Sequence, residues 1–581
     1  MSDFVLVRSG AVCGICIAPA APKTAPAAAA ELARCLGAMA GTAPAVRTGE
    51  AAAGELCLGA ESAGLEKEEL RIRTADGILW LDGGERGLLY AAYELLERLG
   101  CRFFAPDCER LPAVSELVLP EDTDIRQKPV FEYRSTSWRG VCGQPAEFGV
   151  RLRLNDLHGP SIPEELGGDI RYNGFVHTLG DLSEMEKIDG EYTDRQPCLS
   201  DEKTFETVVK NLRARMEKDP GAAIASVSQN DSHEWGRGCT CAACKAKDDA
   251  EGTPMGSLLP FVNRVAEAME PEYPELAIDT LAYRYTRKVP ATLTSRHNVI
   301  VRLCSIECCF AHPIDECTAA IYDVEDDPFS TTLRAWAEHC GRIYIWDYTT
   351  NFRNYNVSYP NFSVLRRNAR FFAENNVRGV FEQGNGQSVN GEFGELRAYL
   401  LAKLLWDPYM TEEQYQTHID EFLQGYYGEG WQALRRYFDR MHAGVGETHF
   451  GIYFEDPTAV YTDPDTAGDT LAKAEAFLKK GRADFAAAKL GSTAAQRTRI
   501  ERAEIQLDVY EWYVARLRRD ALAEGDAGRA AAEDAMRTAA QVLYTHVLAH
   551  GIVLMHESFA KEHDLDKAEP DWLESPAMWA K

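Results

Sequence analysis

Seven apolar runs alternate with amphipathic helical segments between residues 126 and 409, and this alternation constrains the fold more than any other feature. The runs cover residues 131–136, 174–178, 224–229, 277–283, 299–305, 343–346 and 377–381. Strands that alternate with helices form a parallel sheet, and seven or eight such units predict a closed (β/α)₈ barrel. The alternative is an open doubly wound sheet, but no GxGxxG or GxxxxGK[ST] motif supports nucleotide binding.

The segments on either side of the predicted barrel have different patterns. Residues 1–125 combine a helix after Pro26, a hairpin turn at Asp76-Gly77 and a second helix that ends before Gly100. From residue 410 onward, a capping box at Thr411 and long apolar stripes predict helices alone. We therefore predict an N-terminal α/β domain over 1–125, the barrel over 126–409 and an α-helical C-terminal domain over 410–581.

The net charge of −28 and a pI of about 5.0 narrow the classes of partner. An acidic surface repels phosphate backbones and anionic lipid, which argues against nucleic acid and membranes as partners. No apolar run approaches the ~20 residues that span a bilayer. The N-terminus shows no basic leader before an apolar core, so a cytoplasmic location is expected, or secretion if a leader has been removed. All 16 cysteines lie at or before Cys340, and their crowding favours a reducing compartment.

Polar residues follow the predicted strands where they end, which is the edge at which parallel barrels carry their chemistry. Four strand ends supply carboxylates, namely Asp231, Glu307, Asp347 and Glu382. The strand ends also supply amide, imidazole and aromatic groups, namely Asn230, His177, Tyr283, Tyr285, Trp346, Tyr348 and Asn385. Any one of these acids is as readily a structural residue as a catalytic one. Together, acids among aromatic rings indicate a sugar site, because rings stack on sugars while carboxylates and amides bind hydroxyl groups.

This composition suits the hydrolysis of a glycosidic bond in an oligosaccharide substrate. One carboxylic acid protonates the leaving oxygen, and a second carboxylate acts as nucleophile or base, or supports a group on the substrate. Crowded negative charges raise the pKa of one acid and keep it protonated near neutral pH. Whether configuration is retained or inverted depends on the distance between the acids, which stays open at this point.

Cysteine clusters are the other group with possible chemistry. Three thiols that could hold a structural zinc are Cys239, Cys241 and Cys244, with His233 or Cys198 as a fourth ligand. The preferred interpretation is a tight loop of reduced thiols. No cofactor and no catalytic metal are expected, since no HExxH motif is present. Near a predicted strand end, Cys304, Cys308 and Cys309 are interpreted as small buried thiols, although His312 lies close in the sequence.

Sequence pieces across the predicted barrel resemble the DUF4838 proteins, classed as glycoside hydrolase family 163. They are FVHTL at 175–179, SVSQND at 226–231, CTCAACKA at 239–246, IDTLAYRYTRKVP at 278–290, NVIVRLCSIECCFAHP at 298–313, WDYTTNF at 346–352, GVFEQGN at 379–385 and LRAYLLAKLLWDP at 396–408. The segment from Glu85 to Pro106 is similar to the domain that precedes the barrel in β-hexosaminidases and α-glucuronidases.

The resemblance implies an endo-β-N-acetylglucosaminidase that cleaves complex N-glycan-type oligosaccharides at a GlcNAc–mannose linkage. It also implies retention of configuration, with the substrate's own acetamido group as nucleophile. The catalytic candidates are Glu382, Glu307 and Asp231, of which Asp231 would orient the acetamido nitrogen. The candidates for substrate binding are Asn230, His177, Tyr283, Tyr285, Trp346, Asp347, Tyr348 and Asn385.

Two alternatives stay open. An α-glucuronidase-like glycosidase needs a basic residue for the substrate carboxylate, and Arg284, Arg287 and Lys288 are available. A non-catalytic carbohydrate-binding barrel would use the same aromatic residues without turnover. The oligomeric state is not predicted.

Overall fold

The structure, a computed structural model, describes residues 3–188, 190, 192, 195–231, 238–319, 321, 327–454 and 456–557, and the backbone of 569–570 and 579–580. Its N-terminal elements are β1 (Phe4–Arg8), β2 (Ala11–Val12), β3 (Ile15–Ile17), α1 (Ala25–Ala40), β4 (Val46–Thr48), β5 (Leu56–Leu58), β6 (Leu70–Ala75), β7 (Ile78–Gly83), α2 (Gly87–Arg98), β8 (Arg102–Ala105), β9 (Cys108–Arg110), β10 (Glu116–Leu119) and β11 (Asp124–Gln127). A six-stranded sheet in the order β11-β6-β7-β5-β3-β4 forms the centre of this region. The predicted hairpin is confirmed, because Asp76 and Gly77 both adopt the positive φ that a tight turn requires.

The middle of the chain alternates strands with helices, as the sequence predicts. Its elements are β12 (Tyr133–Thr136), α3 (Ala146–Arg151), β13 (Tyr172–Asn173), α4 (Leu179–Leu182), α5 (Glu202–Lys218), β14 (Ile224–Ser226), α6 (Ala242–Glu251), α7 (Met255–Met269), β15 (Ala277–Ala282), β16 (Val299–Cys304), α8 (Phe329–His339), β17 (Ile343–Tyr348), α9 (Phe362–Glu374), β18 (Val377–Gln383) and α10 (Gly394–Trp406). The strands form one parallel sheet in the order β12-β18-β17-β16-β15-β14-β13. This curled parallel sheet confirms the barrel class.

A short extended segment connects the two edge strands of the sheet. The backbone N–H of Asn155 donates to the carbonyl oxygen of Arg134 on β12 at 3.2 Å, and its own carbonyl accepts from Ile170, just before β13, at 2.9 Å. Asp156 makes a parallel bridge to Ser135. These bonds bring the two edges together, so the sheet is not the open doubly wound alternative.

One predicted strand is misplaced. The sequence predicts a strand over 174–178, whereas the structure ends β13 at Asn173 and turns the chain into the short helix α4. Gly174 and His177 adopt φ values of +70° and +55°, which lie outside the extended region. This turn carries the His177 side chain to the carboxyl-terminal mouth of the sheet.

The inner face of the sheet is filled by aromatic and aliphatic side chains around a buried ion pair. Residues of this inner cluster are Tyr133, Ile224, Ala277, Ile300, Tyr344 and Phe381. Among them lie Arg302 and Asp279, both 0% exposed, whose Nη2 and Oδ2 atoms are 3.1 Å apart. The Arg302 guanidinium also lies 4.4 Å from the ring centre of Phe175, a cation–π contact.

The C-terminal region is helical, as predicted, and it returns twice to the barrel. Its elements are α11 (Glu412–Tyr427), α12 (Trp431–Ala443), α13 (Thr470–Ala488), α14 (Ala494–Asp520), α15 (Arg529–Ala549) and the short pair β19 (Glu569–Pro570) and β20 (Trp579–Ala580). Between α12 and α13, the carbonyl of Ile452 accepts from the Phe352 N–H at 2.8 Å. After α15, the carbonyl of Met555 accepts from the Tyr355 N–H at 2.8 Å. Within the described part of the chain, none of the helices has the length and apolar character needed to cross a membrane.

We expect Arg302→Met to lower the free energy of unfolding by ~3–5 kcal/mol, because it leaves the Asp279 carboxylate buried without its cation. Burial raises the pKa of Asp279 to about 6 even though Arg302 opposes the shift. The loss is therefore smaller at pH 5, where Asp279 can take up a proton, than at pH 8. Urea unfolding followed by tryptophan fluorescence measures the difference.

The matched control is Arg370→Ala, which removes a solvent-exposed partner of Glu374. Exposed pairs contribute less than ~1 kcal/mol. A similarly small effect of Arg302→Met would contradict a stabilising role of the buried pair.

Candidate functional site

A cavity of about 430 Å³ lies at the carboxyl-terminal mouth of the sheet. Five aromatic residues form part of its wall, namely Tyr283, Trp346, Tyr348, Phe352 and Tyr453. Polar residues that line it are His177, Asp231, Arg284, Gln383 and Glu557. The volume suits a sugar-sized ligand, and carboxylates beside aromatic rings suit its hydroxyl groups and apolar faces.

Strand periodicity explains which side chains reach this cavity. Successive residues of a strand point to opposite faces, so Trp346 and Tyr348 face inward together on β17. Gln383 on the neighbouring strand also faces inward, and its Oε1 accepts a hydrogen bond from Trp346 Nε1 at 2.8 Å. The bond fixes the indole ring as part of the cavity floor.

Asp231, which the sequence predicts as a site residue, contributes a carboxylate to the cavity wall. It follows β14, and its side chain is 54% exposed. Tyr283 donates its hydroxyl to Asp231 Oδ1 at 3.4 Å, and His177 Nε2 lies 3.9 Å from the same oxygen. The His177 Nδ1 bonds to the carbonyl oxygen of Gln229 at 2.8 Å, and since a carbonyl only accepts, Nδ1 carries the proton.

Glu557 is the second carboxylate of the cavity, and sequence reasoning missed it. Glu557 is an exposed residue of the cavity wall. The partial loss of solvent around its carboxyl group, and then the negative charge of Asp231, raise its pKa above the ordinary value for glutamic acid. Glu557 follows α15, far from any barrel strand in the sequence, so no strand-end signal marks it. Gln383, Phe352 and Tyr453 were also missed, although the inward position of Phe381 two residues earlier indicates the direction of Gln383.

Asp347 and Glu382 do not line this cavity. They are partners in register on β17 and β18, and strand alternation turns both toward the surrounding helices. Ser305 donates its hydroxyl to Asp347 Oδ1 at 2.5 Å. Burial raises the pKa of Asp347 to about 6, and burial together with the charge of Asp347 raises the pKa of Glu382 strongly. The two acids form a buried pair behind the sheet.

Glu307 lies against a second, smaller cavity of about 70 Å³, together with Arg287 and Asp327. It is buried, with 4% of its surface exposed. Burial raises the pKa values of Tyr283 and Tyr348, and the negative charge of Glu307 is one of the smaller contributions in the same direction. Glu307 therefore influences two tyrosines of the larger cavity electrostatically without lining that cavity.

Three further predicted binding residues do not line the cavity. Asn230 is buried, its Oδ1 accepts from the Gly180 N–H at 2.8 Å and its Nδ2 donates to the Arg195 carbonyl at 2.9 Å. Asn385 is buried as well, and its Oδ1 accepts from the N–H groups of the loop that follows it. Tyr285 lies outside the cavity wall, where burial and the charge of Asp248 raise its pKa.

Two side-chain clusters have the composition of metal sites. One consists of Cys198, Cys239, Cys241 and Cys244, and the other of Cys309, His312, Cys317 and His449. In each cluster the ligand atoms lie within 4.8 Å of one another. Cys198 thus joins the three predicted thiols, whereas His233 lies outside the described residues. Neither cluster contributes a side chain to the wall of the larger cavity.

Known structures include one whose fold agrees with the barrel. No curated protein matches the sequence. The fold is similar to that of a family GH115 4-O-methyl-α-glucuronidase with specificity for decorated arabinogalactans, at 12% identity and a TM-score of 0.61, over 94% of this chain and 78% of that one. A GH20 β-N-acetylhexosaminidase from Streptomyces coelicolor A3(2) matches at 14% identity and a TM-score of 0.41, over 72% of this chain and 92% of that one.

A family model provides the more specific comparison. The family described as "Domain of unknown function (DUF4838)" matches residues 103–439, which include every barrel strand and Asp231. This match spans more than half of the sequence. The chain belongs to the DUF4838 family.

Proposed function

We propose that this chain is a glycoside hydrolase. The observation that carries the proposal is the cavity at the barrel mouth, in which Asp231 and Glu557 face a floor of aromatic rings. Hydrolysis of a glycosidic bond requires two carboxyl groups with different protonation states, and the raised pKa of Glu557 supports that division. The fold similarity to a family GH115 α-glucuronidase is consistent with this reaction class.

Within this class, we propose cleavage of β-N-acetylglucosaminyl linkages in complex N-glycan-type oligosaccharides. The support is the sequence resemblance to glycoside hydrolase family 163 over residues 175–408. The reaction would retain configuration. The acetamido carbonyl oxygen of the substrate attacks the anomeric carbon, the glycosidic bond breaks, and water then opens the cyclic intermediate.

Each cavity carboxyl group has a proposed role in this reaction. Asp231 accepts a hydrogen bond from the acetamido N–H and so directs the carbonyl oxygen at the anomeric carbon. Glu557, whose pKa is raised by desolvation and by the charge of Asp231, would give its proton to the leaving oxygen and later take one from water. Glu557 replaces Glu382 and Glu307 as the proposed acid, since neither of these lines the cavity.

The second candidate is an α-glucuronidase-like activity. Arg284 lines the cavity, with its guanidinium 5.0 Å from the ring centre of Tyr283. A guanidinium pairs with a carboxylate through two parallel hydrogen bonds, so it could recognise a uronic acid. The other two basic residues considered for this role, Arg287 and Lys288, do not line this cavity.

A substrate panel separates these activities. The chain is incubated in parallel with complex N-glycans, chitooligosaccharides, an aryl β-N-acetylglucosaminide and an aryl α-glucuronide, and the products are identified by mass spectrometry. We expect new reducing ends at N-acetylglucosamine residues and none from the glucuronide. Turnover of the glucuronide alone would favour the second candidate. Calorimetric binding of a glycan without any product would indicate a non-catalytic barrel.

Substitution of Glu557 tests the identity of the acid. Glu557→Gln should lower kcat on an oligosaccharide by ~10²–10⁴-fold, the usual contribution of a general acid. It should lower kcat far less on an aryl glycoside whose phenol is acidic, because that group departs without protonation. Glu382→Gln is the matched control and should keep turnover on both substrates, since Glu382 lies behind the sheet. Equal losses on both substrates for Glu557→Gln would argue against its role as acid.

The pH profile tests the coupling between the two cavity acids. A general acid must be protonated, so kcat/KM on an oligosaccharide should fall as pH rises through the pKa of Glu557. The pH at which kcat/KM falls should lie above the ordinary pKa range of glutamic acid, because desolvation and Asp231 both raise the pKa of Glu557. Asp231→Asn removes one of the two causes, so its residual activity should fall at a lower pH. A fall at an unchanged pH in Asp231→Asn would contradict the pairing.

A further inference from the structure

The cluster of Cys309, His312, Cys317 and His449 joins the loop after β16 to the segment between α12 and α13. Cys309 Sγ lies 3.5 Å from His312 Nδ1 and 3.3 Å from His449 Nδ1. The two Nδ1 atoms are 3.2 Å apart, and Cys317 Sγ is 3.6 Å from His449 Nδ1. Four potential ligand atoms thus surround one point.

These separations are those of a tetrahedral zinc site. With Zn–S of about 2.3 Å and Zn–N of about 2.0–2.1 Å, ligand atoms at tetrahedral angles lie roughly 3.3–3.8 Å apart. The set of two thiolates and two imidazoles is also a common structural zinc set. The order Cys309, His312, Cys317 places three of these ligands within one short loop.

Hydrogen bonding around His312 supports a cation at the centre. His312 Nε2 donates to the Gly446 carbonyl at 2.8 Å, so in the neutral ring Nδ1 is a bare lone pair. That lone pair faces another imidazole nitrogen and a sulfur atom at close range. Metal-bound histidines characteristically donate their second nitrogen to a carbonyl in this way, which fixes the ring orientation.

We propose that these four residues bind a structural Zn²⁺ ion. All four protein ligands are present, so the ion has no open position for substrate and takes no part in the reaction. Its role is to hold two segments of the chain in position. Close to His449, the Phe450 carbonyl accepts a hydrogen bond from the Phe310 N–H at 2.9 Å. Tyr453, three residues further along, lines the cavity. The ion fastens the helical region onto the barrel beside the cavity.

We propose a second structural zinc at the four-cysteine cluster, on independent evidence. Cys198 Sγ lies 3.6 Å from Cys241 Sγ and 4.0 Å from Cys244 Sγ, close to the spacing of thiolates on one tetrahedral ion. Cys198 precedes α5, and Cys241 and Cys244 lie at the start of α6. This ion would tie together two loops on the side of the mouth where Asp231 lies.

Metal analysis of the full-length chain tests both sites. The chain is produced with zinc in the medium, desalted without chelator, and measured by inductively coupled plasma mass spectrometry. We expect two zinc ions per chain in the unaltered protein, one in Cys317→Ser, one in Cys241→Ser and none in the double variant. The matched control is Cys340→Ser, which changes a buried thiol outside both clusters and should keep two zinc ions per chain.

A second measurement does not depend on the variants folding. The unaltered chain, stripped of metal and titrated with Co²⁺, should develop the visible bands of tetrahedral cobalt together with sulfur-to-cobalt charge transfer. The four-thiolate site should absorb at longer wavelength than the mixed site. A chain that carries no zinc and takes up neither Zn²⁺ nor Co²⁺ would overturn both sites. Two zinc ions retained in Cys317→Ser would overturn the site of two cysteines and two histidines alone.

Discussion

The two-residue period of side chains along a β-strand decides which acids of this barrel can reach a substrate. Trp346 faces the cavity, so Asp347 beside it faces the helices. On the next strand Gln383 faces the cavity, so Glu382 beside it points outward as well. Asp231 differs because it follows its strand in a loop, beyond the last paired residue. Whether a residue points inward or outward on its strand, rather than how near it lies to the strand end, separates a cavity acid from a buried structural acid.

The floor of the cavity depends on the charged pair in the centre of the barrel. The Arg302 guanidinium is packed among aromatic rings, including Phe175 and Trp346, of which Trp346 lines the cavity. Asp279 supplies its countercharge, and Ser226 donates its hydroxyl to that carboxylate at 3.4 Å. The pair therefore connects the packing of the barrel interior with the orientation of the rings on which a sugar would rest.

The fold could be predicted from the sequence because barrel strands are buried on both faces and form continuous apolar runs. Strand β13 was misplaced, since the positive φ of Gly174 and His177 leaves no trace in the apolar pattern. The outward direction of Asp347 was readable, because aromatic residues flank it on both sides. Glu557 could not be found in this way: it follows a C-terminal helix, and only the tertiary path of the helical region brings it to the cavity.

The same tertiary path limits what family membership specifies. The matched segment, 103–439, contains the strands and Asp231, whereas His449, Tyr453 and Glu557 lie beyond it. The barrel thus supplies the aromatic floor and one carboxylate, and the helical region supplies the second carboxylate and part of the wall. A relative with the same barrel but a different helical region would keep Asp231 and lose its partner. In the proposed reaction, activity and specificity therefore depend on the fit between the two regions, and the proposed zinc ion at His449 lies at a contact between them.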